Sequence, residues 1–220
     1  MTQINYKKVR IGAILFLIAP IIFLVIEAIV ASAWNNPVYS YTYNFISDLG
    51  IPVVTEFEGR TVNSPLFSVM NLGFIAYADI FVVAFCMIFH ALPIKRRVIA
   101  IILAALYGVG WTFVGLFTGY NWPGAFMHGI GAIPILFGGN IALMIYGVSF
   151  NKLIQKRWFP IISACLGIVG LIGTFTCIFS SGDYLGFLER IAIYPMFMWE
   201  VMAGILLLAG LGKLSKSNMQ

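Results

Sequence analysis

Charged residues are scarce in this sequence of 220 residues. Aspartate, glutamate, lysine and arginine make up 10% of the chain, whereas 61% of it is hydrophobic and the mean hydropathy is +0.97. A typical soluble domain has about 25% charged residues, so this chain has too little polar surface to face water on all sides. Disordered chains have the opposite composition, with low hydrophobicity and high charge. The shortage of charge excludes both classes and leaves a membrane protein with several spans.

Cysteine is also rare. Cys86, Cys165 and Cys177 lie inside hydrophobic segments, and no Cys-x-x-Cys pair occurs. This pattern excludes a disulfide framework and gives no support to a zinc, iron–sulfur or haem site held by cysteine. The sequence also lacks a Walker motif, a dinucleotide-binding glycine pattern and a His-Glu-x-x-His zinc motif. We therefore predict no metal and no cofactor, and we set aside ATP-driven transport and zinc-dependent proteolysis.

Six hydrophobic segments are long enough to cross about 30 Å of hydrocarbon, which takes roughly 20 helical residues. The short alternating segments of a β-barrel are absent from the sequence. We therefore predict an all-α fold, a single domain over residues 1–220 that forms a compact bundle of six transmembrane helices. The predicted spans are residues 12–33, 66–92, 98–118, 125–150, 159–180 and 191–212, with one long loop at 34–65.

Basic residues are strongly biased to one side of these spans. Eleven of the 13 lysines and arginines precede the first span, fill the turns after the second and fourth, or follow the last, and only Arg60 and Arg190 lie opposite. The positive-inside rule then predicts an inner-membrane protein with both termini in the cytoplasm and an extracytoplasmic 34–65 loop. The same bias explains the net charge of +5, so we predict no nucleic-acid partner.

The N-terminus has a second interpretation. A basic start, an apolar run and Ala31-Ser32-Ala33 resemble a cleavable signal peptide. The apolar run is 22 residues long and contains Glu27, whereas the apolar part of a signal peptide usually has about 7–15 residues. We favour a retained membrane anchor and keep cleavage as the alternative.

Polar residues of the predicted spans concentrate in the extracytoplasmic half. A charged side chain at the centre of a membrane helix costs about 2.5–3.5 kcal/mol on insertion scales, so each one is a candidate for function. Glu27, His128 and Glu200 lie in that half, Asp79 lies near the middle of the second span, and the inner half has only His90 near its edge. We predict an outward-facing polar pocket. Its predicted ligand-binding residues are Asn44, Ser47, Asp48, Asn63, Ser64, Asn71, His128, Glu189, Arg190 and Glu200.

Several short motifs resemble a known family. The residues from Tyr43 to Gly50 read Tyr-Asn-Phe-Ile-Ser-Asp-Leu-Gly, and Asn63-Ser64-Pro65 follows. His-Gly-Ile-Gly-Ala stands at 128–132 and Glu-Arg-Ile-Ala-Ile-Tyr-Pro at 189–195. Together these motifs resemble the family called domain of unknown function 998, over nearly the whole chain. The resemblance implies a six-span bacterial or archaeal inner-membrane protein and no defined activity.

The function that we favour from the sequence is binding or movement of a lipid headgroup or a small polar solute in the outward-facing pocket. Asp79 and Glu200, both near mid-depth, would suit protonation-linked movement. The main alternative is an intramembrane hydrolase or transferase that acts on lipids. There His128 would be the general base with Asp48 or Glu200 as its partner, and Ser47 or Ser64 would be the nucleophile.

A structural or accessory subunit is the second alternative. In that case Arg190 would pair with its neighbour Glu189 or with Asp48, and the ion pair would hold the loop on the bundle. Membrane lipids are expected partners under every hypothesis. Stripes of small residues mark close helix contacts, either inside one chain or between two copies, so a homo-oligomer is also open.

Overall fold

The computed structural model describes residues 4–57, 59–121 and 123–217. Within these residues the fold has six long apolar helical spans and little sheet, which confirms the predicted all-α class. Span four consists of two α-helices joined by a π-helical stretch, Pro134–Gly139. The helices are α1 (Tyr6–Ala33), α2 (Phe67–Ile88), α3 (Ile94–Leu116), α4 (Gly124–Ile133), α5 (Asn140–Ile154), α6 (Phe159–Phe179) and α7 (Leu185–Ser217).

Two helices begin well before their predicted spans. Both α1 and α7 start six residues earlier than predicted. At the start of α1, the Asn5 side chain caps the helix by accepting a hydrogen bond from the Lys8 N–H at 3.1 Å. At the start of α7, the helix already includes Glu189 and Arg190, which the prediction had placed outside the membrane span. Both side chains are hydrogen-bonded within the protein.

The two ends of the bundle differ. We call the end that carries residues 34–65 the loop end, and the opposite end, where α1 begins and α7 finishes, the basic end. Helix α2 packs between α1 and α3, and α7 packs between α1 and α6. The centre is aromatic, with ring centroids 5.2 Å apart for Phe23 and Trp111 and 5.7 Å apart for Phe16 and Trp199. Close packing of this kind drives helix association in lipid.

The stripe of small residues on α6 is an internal helix contact. Ser163, Gly167, Gly170 and Thr174 are all buried. A Cβ atom at Gly167 would overlap the backbone carbonyl oxygen of Asn140, so only glycine allows this approach to span four. The stripe therefore brings helices of one chain together and is not a surface for a second copy.

The π-helical stretch ties span four to its neighbours. A π turn shifts the regular backbone hydrogen bonds and is often found at functional sites. Here the Leu136 carbonyl accepts from the Asn140 amide at 2.7 Å and from the Thr174 hydroxyl at 3.1 Å. The Asn140 amide also donates to the Ala192 carbonyl at 2.9 Å. Span four is thus bonded to both α6 and α7 at this level.

Residues 34–65 fold back onto the loop end, and we call them the docked loop. They contain a 3-10 turn, Ser47–Gly50, and an antiparallel hairpin of β1 (Thr55–Phe57) and β2 (Arg60–Val62). A second 3-10 turn, Phe89–Ala91, follows α2 at the basic end. Six apolar side chains of the docked loop are buried: Trp34, Tyr39, Ile46, Leu49, Ile51 and Val62.

Candidate functional site

Arg190 on α7 is the centre of the contact between the docked loop and the bundle. Its buried guanidinium donates to Oε1 of Glu27 on α1, from Nε at 3.1 Å and from Nη2 at 2.7 Å. Its Nη1 donates to the backbone carbonyls of Tyr41, Asn44 and Gly186 at 2.8, 3.1 and 2.9 Å. A buried charge is tolerated when it is paired and hydrogen-bonded in this way. One side chain therefore joins α1, α7 and the docked loop.

Two tyrosine hydroxyls extend this network. The Tyr39 hydroxyl accepts from Nη2 of Arg190 at 2.6 Å and donates to the Phe45 carbonyl at 2.9 Å. Burial raises the pKa of Tyr39 well above its usual value, so its hydroxyl stays neutral and can donate. The Tyr194 hydroxyl donates to Oε2 of Glu27 at 2.8 Å. Both carboxylate oxygens of Glu27 are therefore bonded.

A second buried ion pair lies within the docked loop. Arg60 donates to Asp48 from Nε to Oδ2 at 3.0 Å and from Nη2 to Oδ1 at 3.3 Å, and its guanidinium lies 4.3 Å from the ring centroid of Phe45. The Phe45 N–H also donates to Oδ2 of Asp48 at 2.9 Å. The prediction that Arg190 pairs with Glu189 or Asp48 is therefore wrong, because Asp48 pairs with Arg60 and Arg190 with Glu27.

Four predicted site residues form hydrogen bonds with backbone groups of the docked loop instead of facing an open space. A loop that packs on a bundle needs such partners, because buried N–H and C=O groups are costly when unpaired. Each bond joins a side-chain atom to a backbone atom. The pairs are Asn44 with Ser40 at 3.0 Å, Asn63 with Asn36 at 2.8 Å, Ser64 with Leu49 at 2.7 Å and Asn71 with Gly50 at 3.0 Å.

A cavity of about 30 Å³ lies between the docked loop, α2, α3, span four and α7. This volume has room for a water-sized group. Three predicted site residues, Ser47, His128 and Glu189, form the polar part of its wall. The rest of the wall consists of Ile46, Phe74, Trp111, Val114, Ala132, Ile135, Leu136 and Ile193.

His128 is held by a backbone carbonyl and not by a carboxylate. Its Nδ1 lies 2.9 Å from the carbonyl oxygen of Phe117. A carbonyl oxygen can only accept, so Nδ1 carries a proton, and in the neutral imidazole Nε2 is then an acceptor. His128 and Ser47 are both partly exposed. The imidazole thus gives the cavity wall an acceptor whose orientation is fixed by its other nitrogen.

Glu189 is the acidic group in the cavity wall. Its Oε2 accepts a hydrogen bond from the backbone N–H of Ile46 in the docked loop. Within the described residues Glu189 has no ion pair, whereas Glu27 and Asp48 each have one. Its other carboxyl oxygen is therefore available to accept from a hydrogen-bond donor that enters the cavity.

Glu200 is deeper and does not line this cavity. It is 0% exposed, and the Tyr77 hydroxyl donates to its Oε1. The hydroxyl oxygens of Tyr77 and Tyr107 are 3.4 Å apart, and Oε2 of Glu200 has no hydrogen-bond partner among the described residues. His128, Asp48 and Glu200 are thus not joined by hydrogen bonds, and each has its own separate partner.

Asp79 does not belong to the cavity either. The sequence places it near the middle of its span beside the other polar residues, but its side chain is exposed on the outside of the bundle. Asp79 is exposed and Glu200 is buried, and neither lines this cavity. Helical spacing gives the depth of Asp79, whereas the face of α2 that turns inward depends on its neighbours.

Sequence reasoning did not single out Arg60, Tyr39 or Tyr77 as parts of the site. For Arg60 a signal was present, because it is one of only two basic residues on the loop side and acidic residues lie near it. Tyr39 and Tyr77 resemble other aromatic residues of interfaces and cores. Their hydroxyl contacts depend on residues far away in the chain, so no local pattern indicates them.

These features define a multi-pass membrane protein with six apolar spans and a loop that the buried Arg190 side chain bonds to one end of the bundle. The chain matches the family described as Protein of unknown function (DUF998) over residues 17–206, and it belongs to that family. The match confirms the resemblance of the motifs at 43–50, 128–132 and 189–195, which all lie inside the matched region. No curated protein and no solved structure matches the chain.

Proposed function

We propose that the protein binds a small hydrogen-bond-donating group, an ammonium or a hydroxyl, in the cavity between the docked loop and the bundle. The group belongs to a lipid headgroup or to a free polar solute. The loop end faces the outside of the inner membrane, in agreement with the bias of basic residues. The observation that carries the proposal is the polar wall of the cavity, formed by Ser47, His128 and Glu189.

The polar groups of this wall favour a ligand that donates hydrogen bonds over an anionic ligand. Glu189 and Nε2 of His128 both accept, and the Ser47 hydroxyl can do either. An ammonium group would form charge-assisted hydrogen bonds with Glu189, which are roughly twice as strong as neutral ones. A phosphate or carboxylate group would be repelled by the same carboxylate. The two buried arginines do not change this preference, because each is paired with another carboxylate.

The test is thermal unfolding of the protein in nanodiscs of phosphatidylcholine, whose quaternary headgroup has no N–H donor. Ethanolamine, or phosphatidylethanolamine mixed into the bilayer, should raise the unfolding temperature of the wild type. Binding to the folded state alone stabilises it by about 2.7 kcal/mol when the ligand is at about 100 times its Kd. A response to free ethanolamine indicates a solute site, and a response only to the lipid indicates a headgroup site.

Two variants, one of them with a matched control, make this test specific. Glu189→Gln removes the charge but keeps an oxygen that can accept from the Ile46 N–H, so the loop contact stays and the response should fall. His128→Ala should also reduce the response. His90→Ala is its control, because His90 accepts a hydrogen bond from the Asn5 N–H at the basic end, far from the cavity. A wild type that responds to neither donor would contradict the proposal.

Hydrolysis at the same cavity is a second candidate function. It is favoured by one observation, that a serine hydroxyl and an imidazole with an acceptor Nε2 line the same wall. In this reaction Nε2 of His128 would take the proton of Ser47 as its oxygen attacks an ester carbonyl, and would return it to the departing alcohol as the ester C–O bond breaks. Water would then hydrolyse the acyl-serine. Ser47→Ala would then abolish the release of a product from the bound lipid, whereas His128 and Glu189 would still retain part of the binding. Mass spectrometry of the extracted lipids follows the product.

A further inference from the structure

Asp79 places a carboxyl group on the outer surface of the bundle, at the middle of an apolar span. It lies twelve residues from either end of the apolar span Phe67–Ala91, and its side chain is exposed. No described residue forms a hydrogen bond or an ion pair with it. Acidic residues in membrane helices almost always face the bundle interior or a water-filled cavity, since their insertion at the centre costs about 2.5–3.5 kcal/mol. The position of Asp79 is therefore costly for an isolated chain.

The surface of α2 around Asp79 has the spacing of a helix–helix seam. Five exposed residues and one half-exposed residue follow one another at alternating steps of three and four. This is the a and d spacing of paired parallel helices. Small side chains at two of the positions, Ala76 and Cys86, allow a second helix to come close. We call this set the α2 stripe: Val69, Leu72, Ala76, Asp79, Val83 and Cys86.

The neighbouring surface gives Asp79 no polar partner. Ile21 of α1 and Leu106 of α3 lie near the middle of their helices, and they are 56% and 51% exposed. The arginines of the loop side are far from this level and already paired with carboxylates. The Asp79 carboxyl group is therefore available to a polar group of another molecule.

We propose that the α2 stripe is the interface of a homodimer, in which the Asp79 carboxyl groups of two copies hydrogen-bond to each other. Two copies inserted with the same topology are related by a two-fold axis along the membrane normal. Such an axis places each central residue of the stripe against its own copy. The second copy thus supplies a polar group at the required depth by symmetry alone.

Two carboxyl groups can satisfy each other's need for a hydrogen-bond partner. A protonated carboxyl donates through its O–H, and either carboxyl form accepts, so one shared proton is enough for a hydrogen bond between the two Asp79 side chains. An O–H···O⁻ bond of this kind is short and strong. A different partner protein would need a donor of its own at the same depth, whereas the homodimer needs no group beyond those of this chain. The interface is independent of the proposed binding cavity.

Cys86 is a direct reporter of this interface. It is exposed on the α2 stripe two helical turns from Asp79, so in a parallel dimer it faces its own copy. The experiment uses the full chain in native membranes, with Cys165→Ser and Cys177→Ala, which leave Cys86 as the single cysteine. Mild oxidation or a short bismaleimide should convert this protein to a covalent dimer of twice 24.3 kDa.

The matched control carries Cys86→Ser and Cys177→Ala and keeps Cys165. This cysteine is exposed on α6, which does not border α2, so the control should stay monomeric. In the protein that keeps Cys86, Asp79→Leu should weaken dimerisation by about tenfold, the scale of one hydrogen bond between membrane helices. Asp79→Asn should keep most of the cross-linking, because two amides can pair in the same place.

Thermal unfolding checks that the Asp79 variants fold, which the exposed position of the side chain predicts. The proposal is overturned if Cys86 gives no covalent dimer, or if Asp79→Leu cross-links as well as the wild-type side chain. It is also overturned if Cys165 cross-links as efficiently as Cys86, or if Cys86 is captured by a different protein instead of a second copy.

Discussion

The loop end and the centre of the bundle both contain buried carboxyl groups, but they satisfy them differently. At the loop end, Glu27 and Asp48 each contact an arginine, and backbone groups of the docked loop complete the bonding. At the centre, Glu200 accepts from a single tyrosine hydroxyl, and its other oxygen has no partner among the described residues. Ion pairs lie where the loop meets the helices, whereas a single tyrosine contact serves the carboxyl group where helices pack around aromatic rings.

This difference predicts unequal sensitivity to substitution. Removing one member of a buried ion pair costs about 3–5 kcal/mol, because the other charge is left without compensation. A neutral hydrogen bond contributes about 1 kcal/mol. We therefore expect the loop end to lose much more stability than the centre when a single polar group is removed.

Arg190→Leu should have the largest effect. It leaves the Glu27 carboxylate buried without a cation and removes three bonds to backbone carbonyls, so the free energy of unfolding should fall by about 3–5 kcal/mol. The measurement is unfolding in detergent together with protease cleavage within residues 34–65. Adding Glu27→Leu removes the bare charge and should restore part of the stability. If the double variant is no more stable than Arg190→Leu, the ion pair does not explain the contact.

Gly186→Ala should also lower the stability of the loop end. A Cβ atom there would overlap the backbone carbonyl of Asn44 in the docked loop, and overpacking of this kind costs about 1–3 kcal/mol. Gly129→Ala is the matched control, since a Cβ at that helical glycine meets no atom within 4 Å. It should be neutral or slightly stabilising. Equal melting temperatures for the two variants would be incompatible with close contact between the loop and α7.

The same chemical change, removal of a tyrosine hydroxyl group, can be made at the loop end and at the centre of the bundle. Tyr194→Phe loses a bond to the charged Glu27, which should lower the free energy of unfolding by about 1.5–3 kcal/mol. Tyr77→Phe loses a bond to Glu200 at the centre and should cost about 1 kcal/mol. Denaturant titrations of both variants check the order. The reverse order would show that the centre depends on its polar contacts more than the loop end does.

Glu200→Gln should have the smallest effect. The amide oxygen can still accept from the Tyr77 hydroxyl, and no cation within the described residues loses a partner, so the change should be less than about 1 kcal/mol. Thermal unfolding in the same detergent measures it. A loss comparable to that of Arg190→Leu would mean that Glu200 is paired as a charged carboxylate.

The sequence predicts the fold class better than the site, for a physical reason. Long apolar segments can adopt few structures in lipid, because every backbone polar group must be hydrogen-bonded internally. Composition and length therefore predict six helical spans. The partner of a side chain depends on tertiary packing instead. Arg190 meets Glu27 across 163 positions of sequence, although Glu189 is its direct neighbour.

Helix packing places some predicted site residues at the cavity and another at the aromatic centre, and the sequence could not distinguish the two locations. Ser47, His128 and Glu189 come from the loop and two different spans, and they meet in one cavity. Glu200 lies on the same helix as Glu189 but points to the aromatic centre, where Tyr77 binds it. Spacing along one helix gives depth and an approximate face, whereas the neighbour on that face is decided by the packing of other helices.

Native mass spectrometry tests the donor-binding cavity most directly. The protein is released from nanodiscs that contain equal amounts of phosphatidylethanolamine and phosphatidylcholine, with and without added ethanolamine. The wild type should retain the amine-bearing lipid, or ethanolamine itself, in preference to phosphatidylcholine. Glu189→Gln should lose this preference, and Glu56→Gln, which changes an exposed carboxylate of the hairpin, should keep it. A wild type that retains both lipids equally and no ethanolamine would contradict a donor-binding cavity at Ser47, His128 and Glu189.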